Sequence, residues 1–134
     1  MSTLEGKKAL VTGASGGIGE AIARALHREG AIVALHGTRE ERLNELSNEL
    51  GNRVHVMPAD LSDLDQASAL GKRAEEELEG VDILINNAGI TRDGLFARMS
   101  NEDWDDVLRV NLTAVFRLTK EITYPMMGRK SGRI

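Results

Sequence analysis

Near its start the chain runs Ala9-Leu10-Val11, three apolar residues, straight into Thr12-Gly13-Ala14-Ser15-Gly16-Gly17-Ile18-Gly19. The next stretch, 18–29, sets Ile18, Ile22, Ala25 and Leu26 near helical spacing and stops at Gly30. A strand, a glycine loop and a helix in that order constrain the fold strongly. Small residues at 13, 17 and 19 let the backbone turn tightly and come close to a pyrophosphate. The helix start then offers unpaired N–H groups and the positive end of its dipole to the anion. Gly13, Ser15, Gly16, Gly17, Ile18 and Gly19 are therefore candidate phosphate-side residues. A glycine-rich turn that only packs helix on strand is the other reading. The spacing is Gly-x-x-x-Gly-x-Gly, which differs from the Gly-x-Gly-x-x-Gly of other dinucleotide folds.

The remainder of the chain repeats this unit. Short apolar runs at 32–35, 54–57 and 81–85 read as strands, the second of them ended by Pro58. Between them, 40–50 carries Leu43, Leu46 and Leu50 on one stripe, and 63–79 forms a helix closed by Gly80. A long helix occupies about 101–126. Strands joined by helices of this length need crossovers, so the sheet is expected to be parallel with helices on both faces. The fold class is a doubly wound α/β sheet. No repeat, low-complexity tract or Pro/Ser-rich linker interrupts 1–134, which reads as one domain. Gly128 to Gly132 reads as a turn, and Arg133-Ile134 as the first step of a fifth strand. Without that strand the run 81–85 would be an uncovered sheet edge. The expectation is that the chain is truncated there, or is part of a larger molecule.

Composition narrows the partners. Lys+Arg 17 against Asp+Glu 21 gives a net charge of −4, which opposes the basic stripe of a nucleic-acid binder and a polybasic membrane anchor. Aromatic residues make up 3%, too few for base-stacking platforms. No apolar run approaches the roughly 20 residues that span a bilayer, and Met1 to Gly6 lacks a signal-peptide layout. There are no cysteines, which removes disulfides, thiolate metal sites and thiol nucleophiles. A cytoplasmic location is expected. His27, His36 and His55 stand singly on different elements, with no metal or triad spacing, and each takes a structural reading.

Four further positions carry chemistry. The second strand ends His36-Gly37-Thr38-Arg39, where an acidic residue would grip a ribose 2′-hydroxyl and an arginine accommodates a 2′-phosphate. No carboxylate occurs before Glu40, so NADP is favoured over NAD, with Arg39 as either the phosphate ligand or a solvated charge at a helix start. Asp60, after the third strand, lies at the ligand edge of such a sheet. It can accept from an adenine amino group, or serve as a turn or cap residue alongside Ser62 and Asp63. Asn86 and Asn87 end the fourth strand, where side-chain amides can tie neighbouring loops together, or simply form a turn. In the last helix Asn111 lies on an apolar stripe with Trp104, Val107, Leu108, Leu112, Val115, Leu118 and Ile122. A buried amide there must be paired or cost about 1–3 kcal/mol. It is either a satisfied core residue or a polar group held toward a reactive site.

Together these motifs resemble the short-chain dehydrogenase/reductase family. Thr12-Gly13, Gly17 and Gly19 match its cofactor loop, Asp60-Leu61 its adenine-side position and Asn86-Asn87-Ala88-Gly89 its strand-stabilising motif. Asn111, in Val110-Asn111-Leu112, matches the Asn of its catalytic tetrad. Within the family, Asn87 to Leu95 with Arg98-Met99 is similar to the 3-oxoacyl-[acyl-carrier-protein] reductases, as are residues 115–120 and 131–134. The resemblance implies a strand order of 3-2-1-4-5-6-7. It implies an NADP(H) site built from the glycine loop, Thr38, Arg39, Asp60, Leu61, Asn87, Ala88 and Gly89. It also implies a carrier-protein-linked 3-oxoacyl substrate, and a homodimer or homotetramer assembled through the long helix. The family's catalytic Ser and Tyr-x-x-x-Lys pair are not in these residues, because Tyr124 is followed four places later by Gly128. In the family the Tyr protonates the substrate oxygen, the Lys lowers its pKa, and the Asn supports a water-linked proton relay. The 134 residues alone are expected to be inactive. The alternatives are a nucleotide-binding or self-associating module, or a reductase of another ketone.

Overall fold

The strands of this chain are short and apolar because both faces of each are covered. In the computed structural model, which describes residues 3–134, they are β1 (Lys8–Val11), β2 (Ile32–Gly37), β3 (Val54–Pro58) and β4 (Ile83–Ile85). Met1 and Ser2, which begin the N-terminal stretch without a signal-peptide layout, lie outside the described residues. All pairings are parallel and the strand order is β3-β2-β1-β4, with Leu10 opposite Ala34 on one side and Leu84 on the other. This is the order the resemblance implies for the first four strands. The right-handed logic of strand–helix–strand units places α1 (Gly17–Arg28), α2 (Glu40–Leu50) and α3 (Leu64–Glu77) as the crossovers.

Alternation along the strands divides the core in two. Leu10, Ala34 and Leu84 face a cluster with Leu70 and Ala74 of α3 and with Leu118 and Ile122 further along. Val11, Val33 and Leu35 face the opposite cluster, built with Ala23 of α1 and Leu43 and Leu46 of α2. One sheet with a helical layer on each face is the doubly wound α/β architecture expected from the sequence. Asp63 caps α3, its carboxylate accepting from the N–H groups of Asp65 and Gln66 at 3.0 and 3.4 Å, which favours the helix start.

Two boundaries differ from the sequence reading. The fourth strand begins at Ile83, not at 81. Val81 instead donates its N–H to the Glu75 carboxylate at 2.7 Å, and the Asp82 carboxylate accepts from the Lys8 N–H at 3.0 Å. The long helix is three segments: α4 (Asn101–Leu108), a π turn (Arg109–Thr113) and α5 (Ala114–Arg129). The wide turn inserts an extra residue into the helical repeat and rotates α5 relative to α4. As a result the buried stripe is Val110, Ala114, Leu118, Ile122 and Met126, while Trp104, Leu108 and Leu112 of the expected stripe are exposed. Beyond α5, Arg133 pairs in parallel with Ile83: its N–H donates to the Asp82 carbonyl and its carbonyl accepts from the Leu84 N–H, both at 2.9 Å. A fifth strand position thus starts on the outer edge of β4, as expected. Among the described residues no helix is long and apolar enough to cross a membrane.

Candidate functional site

At the C-terminal end of β1 the chain has to turn sharply under α1, and two glycines make this feasible. Gly13 has φ +67, in the left-handed region that disfavours a side chain. Gly19 sits so close beneath it that a Cβ would overlap the Gly13 carbonyl oxygen and come within 2.7 Å of the Asn87 amide nitrogen. Gly17 is different. A Cβ there would meet no protein atom within 4 Å, so packing does not demand glycine, and the residue lines an open cleft. Gly16 caps α1 without any side-chain bond. The first-turn N–H groups of a 12-residue helix are therefore left to a ligand in that cleft. A bare backbone at an uncapped helix start fits a dinucleotide pyrophosphate, the group the family resemblance implies.

The loop is clamped from three sides. Thr12 is buried; its hydroxyl donates to the Ile85 carbonyl at 3.2 Å and accepts from the N–H groups of Asn87 and Ala88 at 3.0 and 2.9 Å. The Asn87 amide donates to the carbonyls of Thr12 and Gly13 at 3.2 and 3.3 Å, and Asn86 donates to the Thr119 hydroxyl at 3.2 Å. Asn87 thus ties its loop to the glycine loop, the first of the two readings the sequence allowed, whereas Asn86 ties the strand end to helix α5. From β2, the Gly13 N–H donates to Nδ1 of His36 at 3.2 Å, and the opposite ring nitrogen bonds the Ala59 carbonyl at 3.0 Å. Only a neutral ring carrying its proton on Nε2 satisfies both partners. Burial pushes the His36 imidazolium below its ordinary range.

The β2 side of the cleft is polar. Arg39, exposed at the end of β2, donates to the Ser15 carbonyl, which brings its guanidinium beside the glycine loop. Gly37 leaves room for that loop, since a Cβ there would stand 2.6 Å from the Ser15 hydroxyl. Asp60 is exposed, and its carboxylate accepts from the Ser62 hydroxyl and N–H at 2.6 and 2.9 Å. Those bonds hold its carboxyl below the usual carboxylate range. The structure gives Asp60 both properties at once, a turn bond to Ser62 and a place on the cleft wall.

Asn111 lies in the π turn and is exposed, not buried on the apolar stripe. Its amide is nonetheless engaged at both ends: Oδ1 accepts from the Ile90 N–H and Nδ2 donates to the Ile90 carbonyl, both at 2.8 Å. This pairing holds the chain after β4 against the helix, with Gly89 packed beneath at a distance where a Cβ would stand 3.2 Å from Oδ1.

These elements surround a cleft of about 670 Å³ across the ends of β1, β2, β3 and β4. All the cofactor-side candidates line it: Gly13, Ser15, Gly16, Gly17, Ile18 and Gly19 from the loop, Thr38 and Arg39 from β2, Asp60 and Leu61 after β3, and Asn87, Ala88 and Gly89 after β4. Asn111 does not line it, but the Ile90 it holds does. The bonding roles of three residues go beyond the sequence reading. It takes Thr12 only as the start of the loop motif and His36 only as structural, and both act through strand-end hydrogen bonds. Ile90, inside the stretch 87–95 of the resemblance, acts through its backbone, which residue type does not signal.

Comparison with known proteins agrees with this fold. A family profile described as short chain dehydrogenase matches residues 7–134. Nodulation protein G of Rhizobium sp. (strain N33) is 69% identical over 134 residues, the whole of this chain and 55% of that protein. A 3-oxoacyl-[acyl-carrier-protein] reductase of Vibrio cholerae is 47% identical over 131 residues, 98% of this chain and 54% of that enzyme. The chain therefore spans about half the length of the curated relatives it matches. A crystal structure of a short-chain dehydrogenase from Streptomyces avermitilis superposes with a TM-score of 0.90 at 32% identity, over 98% of this chain and 48% of that one.

Proposed function

Because the chain belongs to the short chain dehydrogenase family, we propose that the complete polypeptide is an NADPH-dependent reductase of 3-oxoacyl groups carried on acyl carrier protein, located in the cytoplasm. Residues 1–134 form the cofactor-binding portion of its single domain, and the proton donor is supplied by residues beyond them. The observation that carries the cofactor assignment is the pairing, in one cleft, of an uncapped helix start with the Arg39 guanidinium, which bonds the Ser15 carbonyl of the same glycine loop. The residues that end β2 include no carboxylate to select a free 2′-hydroxyl. The substrate assignment is supported by the 47% identity to the Vibrio cholerae reductase across 98% of this chain.

In this reading the cofactor supplies the hydride, and the residues of the cleft bind and orient it. The α1 N-terminus receives the pyrophosphate, Arg39 the 2′-phosphate and Asp60 the adenine edge. Thr12, Asn87 and His36 fix the loop against which these groups are measured. Asn111 sets the position of the segment at Ile90, on the side where a carbonyl substrate would approach. Self-association is supported by α5, which turns Phe116, Tyr124 and Met127 to solvent together with Leu112 of the π turn.

A second reading, a short-chain reductase acting on a different ketone, is favoured by the 69% identity to Nodulation protein G, higher than to the carrier-protein reductase. The two separate on one assay: NADPH consumption by the complete polypeptide with an acetoacetyl thioester. Turnover supports the carrier-protein reading. No turnover there, with activity on a sugar or steroid ketone, moves the substrate to the second reading.

A further inference from the structure

We propose that His36 is a positioning residue of the cleft: its neutral imidazole fastens the glycine loop to the end of β3, and proton uptake by the ring releases that loop. The effect on dinucleotide affinity rests on the cofactor reading under Proposed function, whereas the clamp itself does not. Three observations carry it. The ring is 2% exposed, so water does not replace a lost partner. Nδ1 accepts from the N–H of Gly13, the residue whose φ of +67 starts the loop. Nε2–H donates to the carbonyl of Ala59, the residue before Asp60. One side chain thus joins the phosphate side of the cleft to its adenine side.

Protonation at Nδ1 turns the acceptor into a donor, and two N–H groups then face each other across a buried contact. The peptide unit that carries the Gly13 N–H is held on its other edge by Asn87, whose amide donates to the Thr12 carbonyl at 3.2 Å. Acid therefore removes the N–H half of a two-sided clamp. The direction is fixed by burial, which holds the ring below its ordinary value. The contribution is complete above the unfolded value of about 6.5 and lost as pH falls through the folded one.

The charged groups on the elements around the ring do not reverse this. Residues 13–19 carry none. Arg39, ending β2, is directed to the Ser15 carbonyl, and Asp60, after β3, is bound to Ser62. At the start of α3, Asp63 caps the helix and Asp65 pairs with Arg117 of α5 at 3.2 Å. Asn87, after β4, is uncharged.

The test compares NADPH dissociation constants of the complete parent protein and its His36→Asn variant, from about pH 7.5 down to the onset of unfolding. Asparagine can still accept from Gly13 and does not titrate in this range. Taking the ratio of parent to variant cancels the titration of the cofactor's own phosphate. The parent is expected to lose affinity in acid about tenfold more than the variant. Parallel profiles would overturn the proposal. Nitrogen NMR of the parent needs no variant and no ligand: it should show an Nε2–H tautomer, with the Gly13 amide resonance moving as the ring titrates. A ring protonated on Nδ1 at neutral pH, or a Gly13 amide indifferent to ring titration, would contradict the clamp. Failure of the parent to bind NADPH at any pH would defeat the cofactor reading instead, and the NMR result would still decide His36.

Discussion

Removing the Asn111 amide leaves the N–H and carbonyl of Ile90 without their 2.8 Å partners, at the margin of a cleft whose wall depends on that residue. Because the pair is solvent-accessible, Asn111→Ala is expected to destabilise the protein by about 0.5–1.5 kcal/mol in a denaturant titration. It should also loosen the segment after β4, read as faster amide exchange at Ile90. Unchanged stability and exchange would show that the pairing does no structural work. At this scale the sequence is legible where residue type dictates chemistry. Asn87 carries an amide at a strand end and bonds the glycine loop as that reading required, while the neighbouring Asn86 bonds Thr119 of helix α5 instead of a loop. Helical spacing puts Asn111 on the buried stripe only because the count runs through a π turn that periodicity does not reveal. The role of His36 is hidden for a different reason. Alternation along a strand tells which face a side chain takes, but not which loop crosses that face.

The elements themselves come from the alternation of apolar runs with amphipathic stretches, and their ends from residues with specific geometry, such as Gly30 and Gly51 at positive φ after α1 and α2. Seating α1 depends on Gly19. Gly19→Ala drives a Cβ into the Gly13 carbonyl, and the strain is expected to cost about 1–3 kcal/mol. Equilibrium unfolding should register that loss together with a loss of NADPH affinity; an alanine tolerated on both counts would mean the loop is not built as described. The α1–α2 contact is held by charge. Glu20 accepts from Arg42 at 2.5 Å and Arg24 at 2.9 Å, and Arg24 also meets Glu49. Arg42, then Arg24, hold the Glu20 carboxyl below its ordinary range. Such a group stabilises the fold above its unfolded value and ceases to do so as pH falls through its folded one. The melting temperature of Glu20→Gln should thus lie below the parent's near about pH 7 and converge with it only as pH falls through the depressed folded value. A gap that persists in acid would assign the difference to packing.

Over the whole molecule, periodicity supplies the class of fold; the strand order comes from the family resemblance, because alternating elements do not state which strands are neighbours. The outer surface adds a consequence of its own. Phe116, Tyr124 and Met127 are 61%, 81% and 69% exposed along α5, an apolar face larger than single scattered residues would explain. If the complete polypeptide self-associates through this face, as proposed above, Phe116→Glu is expected to lower its mass in sedimentation, with folding intact by circular dichroism. An unchanged mass would show that this face of α5 does not join copies. The central claim is that one cleft, with bare helix N–H groups and the Arg39 guanidinium on the same glycine loop, takes a 2′-phosphorylated dinucleotide. Calorimetric titration of NADPH and NADH into the complete protein and its Arg39→Asp variant tests it most directly. The parent should bind NADPH about tenfold or more tightly than NADH, as a charge-assisted arginine–phosphate contact requires, and the variant should lose or invert that preference. Equal affinities for the two cofactors in the parent, unaltered by the substitution, would contradict the account.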